Sequence, residues 1–203
     1  MICGVILAAG DSERMGSPKA LLKHQDQTFL EAVCGKMRAA GLRDILVVLG
    51  RHERDIRRAW NRRGETVIVN PNPEEGQASS LKLALRHLPQ WPFASAALVA
   101  LVDMPYVGAA TYRQLVGCWR QNVGRSVIPR YQGKRGHPIV LDQRLWPLCS
   151  LCPREEGLHW ALKRGESSVF NLDVDDPAIH RDVDTPEEYH RESGQEGKWA
   201  RGK

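Results

Sequence analysis

The sequence predicts an α/β domain built on a doubly wound, mostly parallel sheet in three layers, with a Rossmann-like N-terminal half. Three observations carry that expectation. Short apolar runs alternate with amphipathic stretches from the N-terminus to about residue 141, the pattern of strands linked by crossover helices. The run Ala96–Val102 (AALVALV) is apolar throughout, as suits a central parallel strand covered on both faces. The opening apolar run passes through a glycine-containing loop into a helix, and such a loop leaves backbone N–H groups to meet an anion.

Each element follows from its residues. Ile2–Leu7 reads as a buried strand, and about Thr28 to Ala40 as an amphipathic helix stopped at Gly41. Asp44–Gly50 is a second buried strand, residues 52–62 a charged helix with Ile56 and Trp60 on one side, and Thr66–Asn70 a third strand. The turn-rich Asn70-Pro-Asn-Pro-Glu-Glu-Gly76 leads to a helix over Gln77–Arg86, with Ser79 or Ser80 as its cap and Pro89 as its stop. Ala96–Val102 ends at Asp103, a helix spans Ala109–Gln121, and Ser126–Pro129 and Pro138–Leu141 read as strands. Between those two strands, the basic Tyr131–His137 loop suggests a β-ribbon or sheet extension. In open sheets of this kind ligands sit beyond the carboxyl ends of the strands. Gly10, Asn70 and Asp103 all fall there.

A chain of 203 residues, 42% hydrophobic and 26% charged, fits one folded domain. That domain is placed at 1–192, with a polar, glycine-containing tail over 193–203 that should fray. The net charge of +5 suits an anionic ligand, but the six arginines between Arg51 and Arg63 read as a solvated helix face rather than a nucleic-acid site. Five cysteines, an odd number, with no secretory signal and no long apolar span, point to the cytoplasm and away from a membrane. Cys149-Ser-Leu-Cys152 has C-x-x-C spacing without a second pair at zinc-site distance.

Four stretches beyond the apolar runs, together with Asp103, carry candidate chemistry. In Leu7-Ala-Ala-Gly-Asp-Ser-Glu-Arg-Met-Gly-Ser-Pro-Lys19-Ala-Leu-Leu22, Gly10 and Gly16 free the backbone, while Arg14 and Lys19 add mobile positive charge. Asp103, on a turn stiffened by Pro105, is placed either to bind Mg²⁺, which prefers oxygen ligands, or to cap the next turn or helix. In Asp182-Val-Asp-Thr-Pro-Glu-Glu-Tyr189, Asp184 or Thr185 is a helix N-cap with Pro186 near the first turn. Gly76-Gln-Ala-Ser-Ser80 either lets a base approach the backbone or simply caps a helix. Arg135-Gly-His-Pro138 offers a guanidinium and an imidazole to a phosphate, or faces solvent.

Taken in order, these stretches resemble the nucleotidyltransferases of the MobA-like group: L-A-A-G-x-S-x-R-M-G-x-x-K-x-L-L, then G-x-x-S-S-L, L-x-D-x-P, R-G-H-P and D-[IV]-D-T-P-E. The resemblance covers residues 2 to 190 and is greatest to molybdenum cofactor cytidylyltransferases, because Leu7-Ala-Ala-Gly10 and Gly76–Ser80 differ from the L-A-G-G and P-L-A-G of the guanylyltransferase branch. It implies the nucleotide-diphosphosugar transferase (GT-A-like) fold and transfer of CMP from CTP to the terminal phosphate of molybdopterin, with release of pyrophosphate. It further implies Arg14, Lys19 and Asp103 in catalysis, and Mg²⁺ or Mn²⁺ on Asp103 and Asp184. Leu7, Ala8, Ala9, Gly10, Arg14, Lys19, Asn70, Gln77, Ser79 and Ser80 would hold the nucleotide. Arg135, Gly136, His137 and Pro138 would face the acceptor, and a molybdoenzyme or its chaperone would be a partner. GTP or a sugar or polyol phosphate as substrate, and a non-catalytic cofactor-binding chaperone, are the alternatives. Two departures stand out. The turn after Leu22 lacks a glycine, and no G-D-x-G-[AS]-R comes after R-G-H-P, only Cys152-Pro-Arg-Glu-Glu-Gly157-Leu-His-Trp160.

Overall fold

The computed structural model describes residues 1–10, 15–91 and 93–193; Arg14 and the tail after Ser193 lie outside the described residues. Strand β1 (Ile2–Ala8) leads through the first loop to a small hairpin, β2 (Lys23–His24) and β3 (Gln27–Thr28), and then to α1 (Phe29–Ala39). Next come β4 (Ile45–Leu49), α2 (Glu53–Ala59), β5 (Thr66–Val69), α3 (Gln77–His87), β6 (Ala96–Leu101) and α4 (Ala109–Gln121). The rest of the chain forms β7 (Ser126–Tyr131), β8 (Lys134–Arg135), β9 (Ile139–Asp142), α5 (Trp146–Leu151), α6 (Gly157–Arg164), β10 (Val169–Asp173) and α7 (Pro186–Ser193).

The sheet runs in the order β10-β7-β9-β6-β1-β4-β5, with β8 on β7. Strands β5, β4, β1 and β6 are parallel, as expected for strands joined through helices. Side chains of β1 alternate between two cores: Ile2, Ile6 and Ala8 join the core that includes α1, α2 and α4, whereas Cys3, Val5 and Leu7 join the one that includes α3, α5 and α6. That double burial is why the strand is apolar without alternation. Gly4 is small for a packing reason, since a Cβ there would stand 2.6 Å from the Met37 sulfur.

The expected ribbon is partly a hairpin and partly main sheet. Gln132 (φ 49°) and Gly133 (φ 80°) turn β7 into β8 with both central residues at positive φ, the geometry that matches strand twist. β9 instead returns into the sheet between β6 and β7, antiparallel to both. The turn without glycine is solved by Gln25, which takes φ 55° between β2 and β3.

Helix ends follow local chemistry. α1 opens on a capping box: the Thr28 side chain accepts from Glu31 N–H, and Glu31 accepts from Thr28 N–H at 2.7 Å. α3 does not start from a serine cap. Its N-cap is Gly76 (φ 85°, ψ −177°), and the Ser79 hydroxyl instead donates back to the Gly76 carbonyl at 2.8 Å. Before α7, Thr185 caps: its hydroxyl accepts from Glu188 N–H at 3.2 Å while Glu188 accepts from Thr185 N–H at 3.0 Å. That arrangement leaves the Asp184 carboxylate to other partners. Among the described residues no helix is long and apolar enough to cross a membrane.

Candidate active site

The carboxyl ends of β6, β1 and β4, together with the start of α3, surround a cavity of about 430 Å³. Its floor is Leu7–Gly10 and Leu101–Asp103; Pro18, Lys19 and Ala20 flank it, and Asp184 comes from the segment before α7. The far wall is Gly50, Arg51, His52 and Ile56 facing Pro73, Gly76, Gln77 and Ser80. Gly50 permits the closeness of that wall, because a Cβ there would lie 2.3 Å from the Ala9 carbonyl oxygen.

The charge centre lies at the β6 side. Lys19, on a short 3₁₀ turn begun by Pro18, places its ammonium 3.4 Å from Asp103 Oδ2 and in a hydrogen bond with Asp184 Oδ1. Backbone bonds hold Asp103 beside β1 and the segment carrying Asp184 beside Asp103. Val102 N–H donates to the Leu7 carbonyl at 3.1 Å, and Val183 N–H donates to the Asp103 carbonyl at 3.0 Å. Asp103 Oδ1 is buried without a hydrogen-bond partner. Burial, against the pull of Lys19, raises the Asp103 carboxyl above its ordinary value.

This donor set fits a hard divalent cation. An orphaned buried carboxylate oxygen is a costly group that a cation would satisfy. Among the described residues no group of three or more His, Cys, Asp or Glu side chains is placed to hold a metal. Two carboxylates, with water and phosphate oxygens completing the shell, are what Mg²⁺ commonly takes.

The other candidates divide. Leu7, Ala8, Ala9, Gly10, Gln77 and Ser80 line the cavity. Asn70 is buried behind it: its amide donates to Ser79 Oγ at 2.8 Å and Ser80 Oγ at 3.0 Å, and its Oδ1 accepts from Asn72 N–H at 3.0 Å. Asn70 thus sets the start of α3 rather than lining the cavity, and Ser79 stands with it. Arg135–Pro138 do not line it either. Arg135 bonds Asn171 Oδ1 at 2.7 Å and Glu166 Oε1 at 2.5 Å. Gly136 is forced by the Ile179 carbonyl, 2.2 Å from where its Cβ would be, and burial pushes His137 down to about 4, leaving a neutral imidazole at pH 7. Cys149 is buried and pushed up to about 12, an inert thiol.

Gly50, Arg51, His52, Ile56 and Pro73 were not singled out by the motifs. Their signal was positional: they come after the carboxyl ends of β4 and β5, where such sheets bind ligands. Arg51 also pairs with Glu74 at 3.0 Å, tying the two sides of the far wall together.

Comparison with known proteins agrees with this architecture. The chain is 25% identical over 185 residues to the molybdenum cofactor cytidylyltransferase of Escherichia coli, covering 91% of this chain and 92% of that one. It is 30% identical over 190 residues to a probable molybdenum cofactor guanylyltransferase of Rhodopirellula baltica, covering 91% and 88%. The crystal structure of Rv0371c from Mycobacterium tuberculosis superposes with a TM-score of 0.82 at 32% identity, covering 94% and 95%, and a further structure of that protein is a complex with manganese. The fold is the GT-A-like nucleotide-diphosphosugar transferase fold. The description "MobA-like NTP transferase domain" matches residues 4–170, so the chain belongs to the MobA-like family of nucleotidyltransferases.

Proposed function

We propose that this protein transfers a nucleotidyl group, CMP from CTP as first choice, to the terminal phosphate of a molybdopterin-type acceptor, releasing pyrophosphate. The observation that carries the reading is the convergence of Lys19, Asp103 and Asp184 beside the loop backbone of Leu7–Gly10 in one cavity. Mg²⁺ or Mn²⁺ held by Asp103 and Asp184 would neutralise phosphate charge there. Lys19 adds its own positive charge to the triphosphate, and loop N–H groups bind its oxygens. The acceptor phosphate oxygen forms a bond to the α-phosphorus as the bond to the β-phosphate bridging oxygen breaks. Pyrophosphate carries away the electron pair, so no covalent protein intermediate is required. Catalysis is then positioning plus charge stabilisation.

Topology supports the placing of the two substrates. The cavity extends along the sheet edge from β6 across β1 to β4, which leaves room for a base between Gly50–His52 and Pro73–Gln77 if the phosphates lie at Asp103. Antiparallel β9 begins close to the carboxyl end of β6, with Ile139 opposite Val99. Arg135–Pro138 therefore lie at the same edge of the sheet as Asp103, which supports reading them as facing the acceptor.

Guanylyl transfer is the second reading, favoured by the 30% identity to a probable guanylyltransferase. The deciding measurement is the Mg²⁺-dependent rise in Tm with CTP, GTP, ATP and UTP, on wild type and Asp103→Ala. A ligand at 100 times its Kd adds about 2.7 kcal/mol. A rise with CTP alone, lost in the variant, supports cytidylyl transfer; a rise with GTP keeps the chemistry and reverses the base; pyrophosphate release separates an enzyme from a binding chaperone.

A further inference from the structure

Asp103 has a side-chain hydrogen bond to Lys19, and its other oxygen has no hydrogen-bond partner. Its orientation therefore depends on the backbone turn it rides on. That turn is gripped from outside the cavity. Lys36, on α1, donates from its ammonium to the Pro105 carbonyl. Tyr106 packs edge-on against Phe29 of the same helix at 6.3 Å between ring centroids, and against His24 at 4.8 Å. On the far side, the Asp176 carboxylate accepts from Gly108 N–H at 2.9 Å and from the Thr111 hydroxyl at 2.6 Å, and its charge favours the Lys36 ammonium. Burial lowers Lys36 to about 8, so it stays mostly protonated at neutral pH. A partly buried ammonium costs free energy that an apolar side chain of similar volume would not, yet α1 carries one at the point facing this turn.

We propose that Lys36 is a positioning residue for the metal centre: by holding the Pro105 carbonyl it orients the Asp103 carboxylate towards the cavity. The proposal rests on Asp103 being a metal ligand. Lys36 touches no reacting atom and acts only through the turn. Groups that orient ligands from outside the coordination shell typically change metal affinity by about 10- to 100-fold.

The test is binding of Mn²⁺ alone to the whole protein, tracked by the electron paramagnetic resonance signal of free Mn²⁺, for wild type, Lys36→Met, Lys36→Arg and Asp103→Asn. Lys36→Met should bind Mn²⁺ about tenfold more weakly with its Tm nearly unchanged, and Lys36→Arg, which still donates to the carbonyl, should recover most of the loss. In turnover, Lys36→Met should need more metal for half-activation while kcat at saturating metal recovers. Where Lys36→Met does not fold, Lys36→Gln, polar but shorter, takes its place with the same expected loss. Wild-type Mn²⁺ affinity in Lys36→Met or Lys36→Gln, or no rescue by Lys36→Arg, overturns the proposal. If Asp103→Asn holds Mn²⁺ undiminished, or wild type holds none, the metal reading of the site falls and the proposal with it.

Discussion

Asp103 brings the conflict between stability and chemistry down to one side chain. Its carboxyl is raised by burial and one oxygen is unsatisfied, so at neutral pH the ionised group lowers the stability of the fold. Asp103→Asn should therefore leave the metal-free Tm unchanged or higher, while turnover drops by about 10²-fold or more, as for loss of a preorganised charge contact. A calorimetric Tm lowered by many degrees would show instead that Asp103 holds the fold together. Residue chemistry explains what the motifs made legible: Lys19, Asp103 and Asp184 stand at strand ends or turns, and they converge. It also explains what they hid. Asn70 falls at a strand end like Asp103, but its amide is spent on Ser79 and Ser80, and no spacing distinguishes a side chain facing a cavity from one facing the next helix.

At the scale of elements, legibility tracked length and burial. The long apolar runs of β1, β4 and β6 and the helices α1, α3 and α4 lie where periodicity places them, to within a residue or two at the ends. α5 spans 6 residues with Pro147 in its first turn, and α6 begins at Gly157 without a side-chain cap, so neither offers a pattern to read. β10, Val-Phe-Asn-Leu-Asp, is an edge strand whose partner β7 lies some forty residues earlier. The Cys152–Trp160 stretch, which lacks the family's second glycine motif, is the connection into α6 and its first turn. At the end of the chain, Thr185 caps α7 and so leaves Asp184 for Lys19. Thr185→Ala should cost about 1 kcal/mol of stability and also weaken nucleotide binding, because Asp184 is the adjacent residue that could take over the cap. Denaturant unfolding and a nucleotide titration measure the two effects separately; stability lost without any change in nucleotide affinity would sever that link.

For the whole molecule, acid should act through histidine before it acts through most carboxylates. His137 is lowered to about 4 and His24 is lowered too, both by burial. A group whose folded pKa is depressed gives stability that is complete above its unfolded value, near 6.5 for histidine, and is lost as pH falls towards the folded one. Denaturation midpoints should thus decline from about pH 6.5 towards 4, before Glu31 and Glu65, held below the usual range, add their own losses lower down. In His137→Gln the upper part of that decline should flatten; an unaltered curve would show that His137 titrates freely. The mixed sheet was only partly legible for a related reason: the return of β9 between β6 and β7 depends on packing across the molecule, which no local run encodes. The ion pair between Lys19 and Asp184 joins positions 165 residues apart. During synthesis strands β1, β4, β5 and β6 can pair long before residue 184 leaves the ribosome, so a nascent chain carries Lys19 and Asp103 on a partial sheet with the third member of the charge centre missing. The three charges therefore come together only when the segment before α7 folds back onto the turn that carries Lys19.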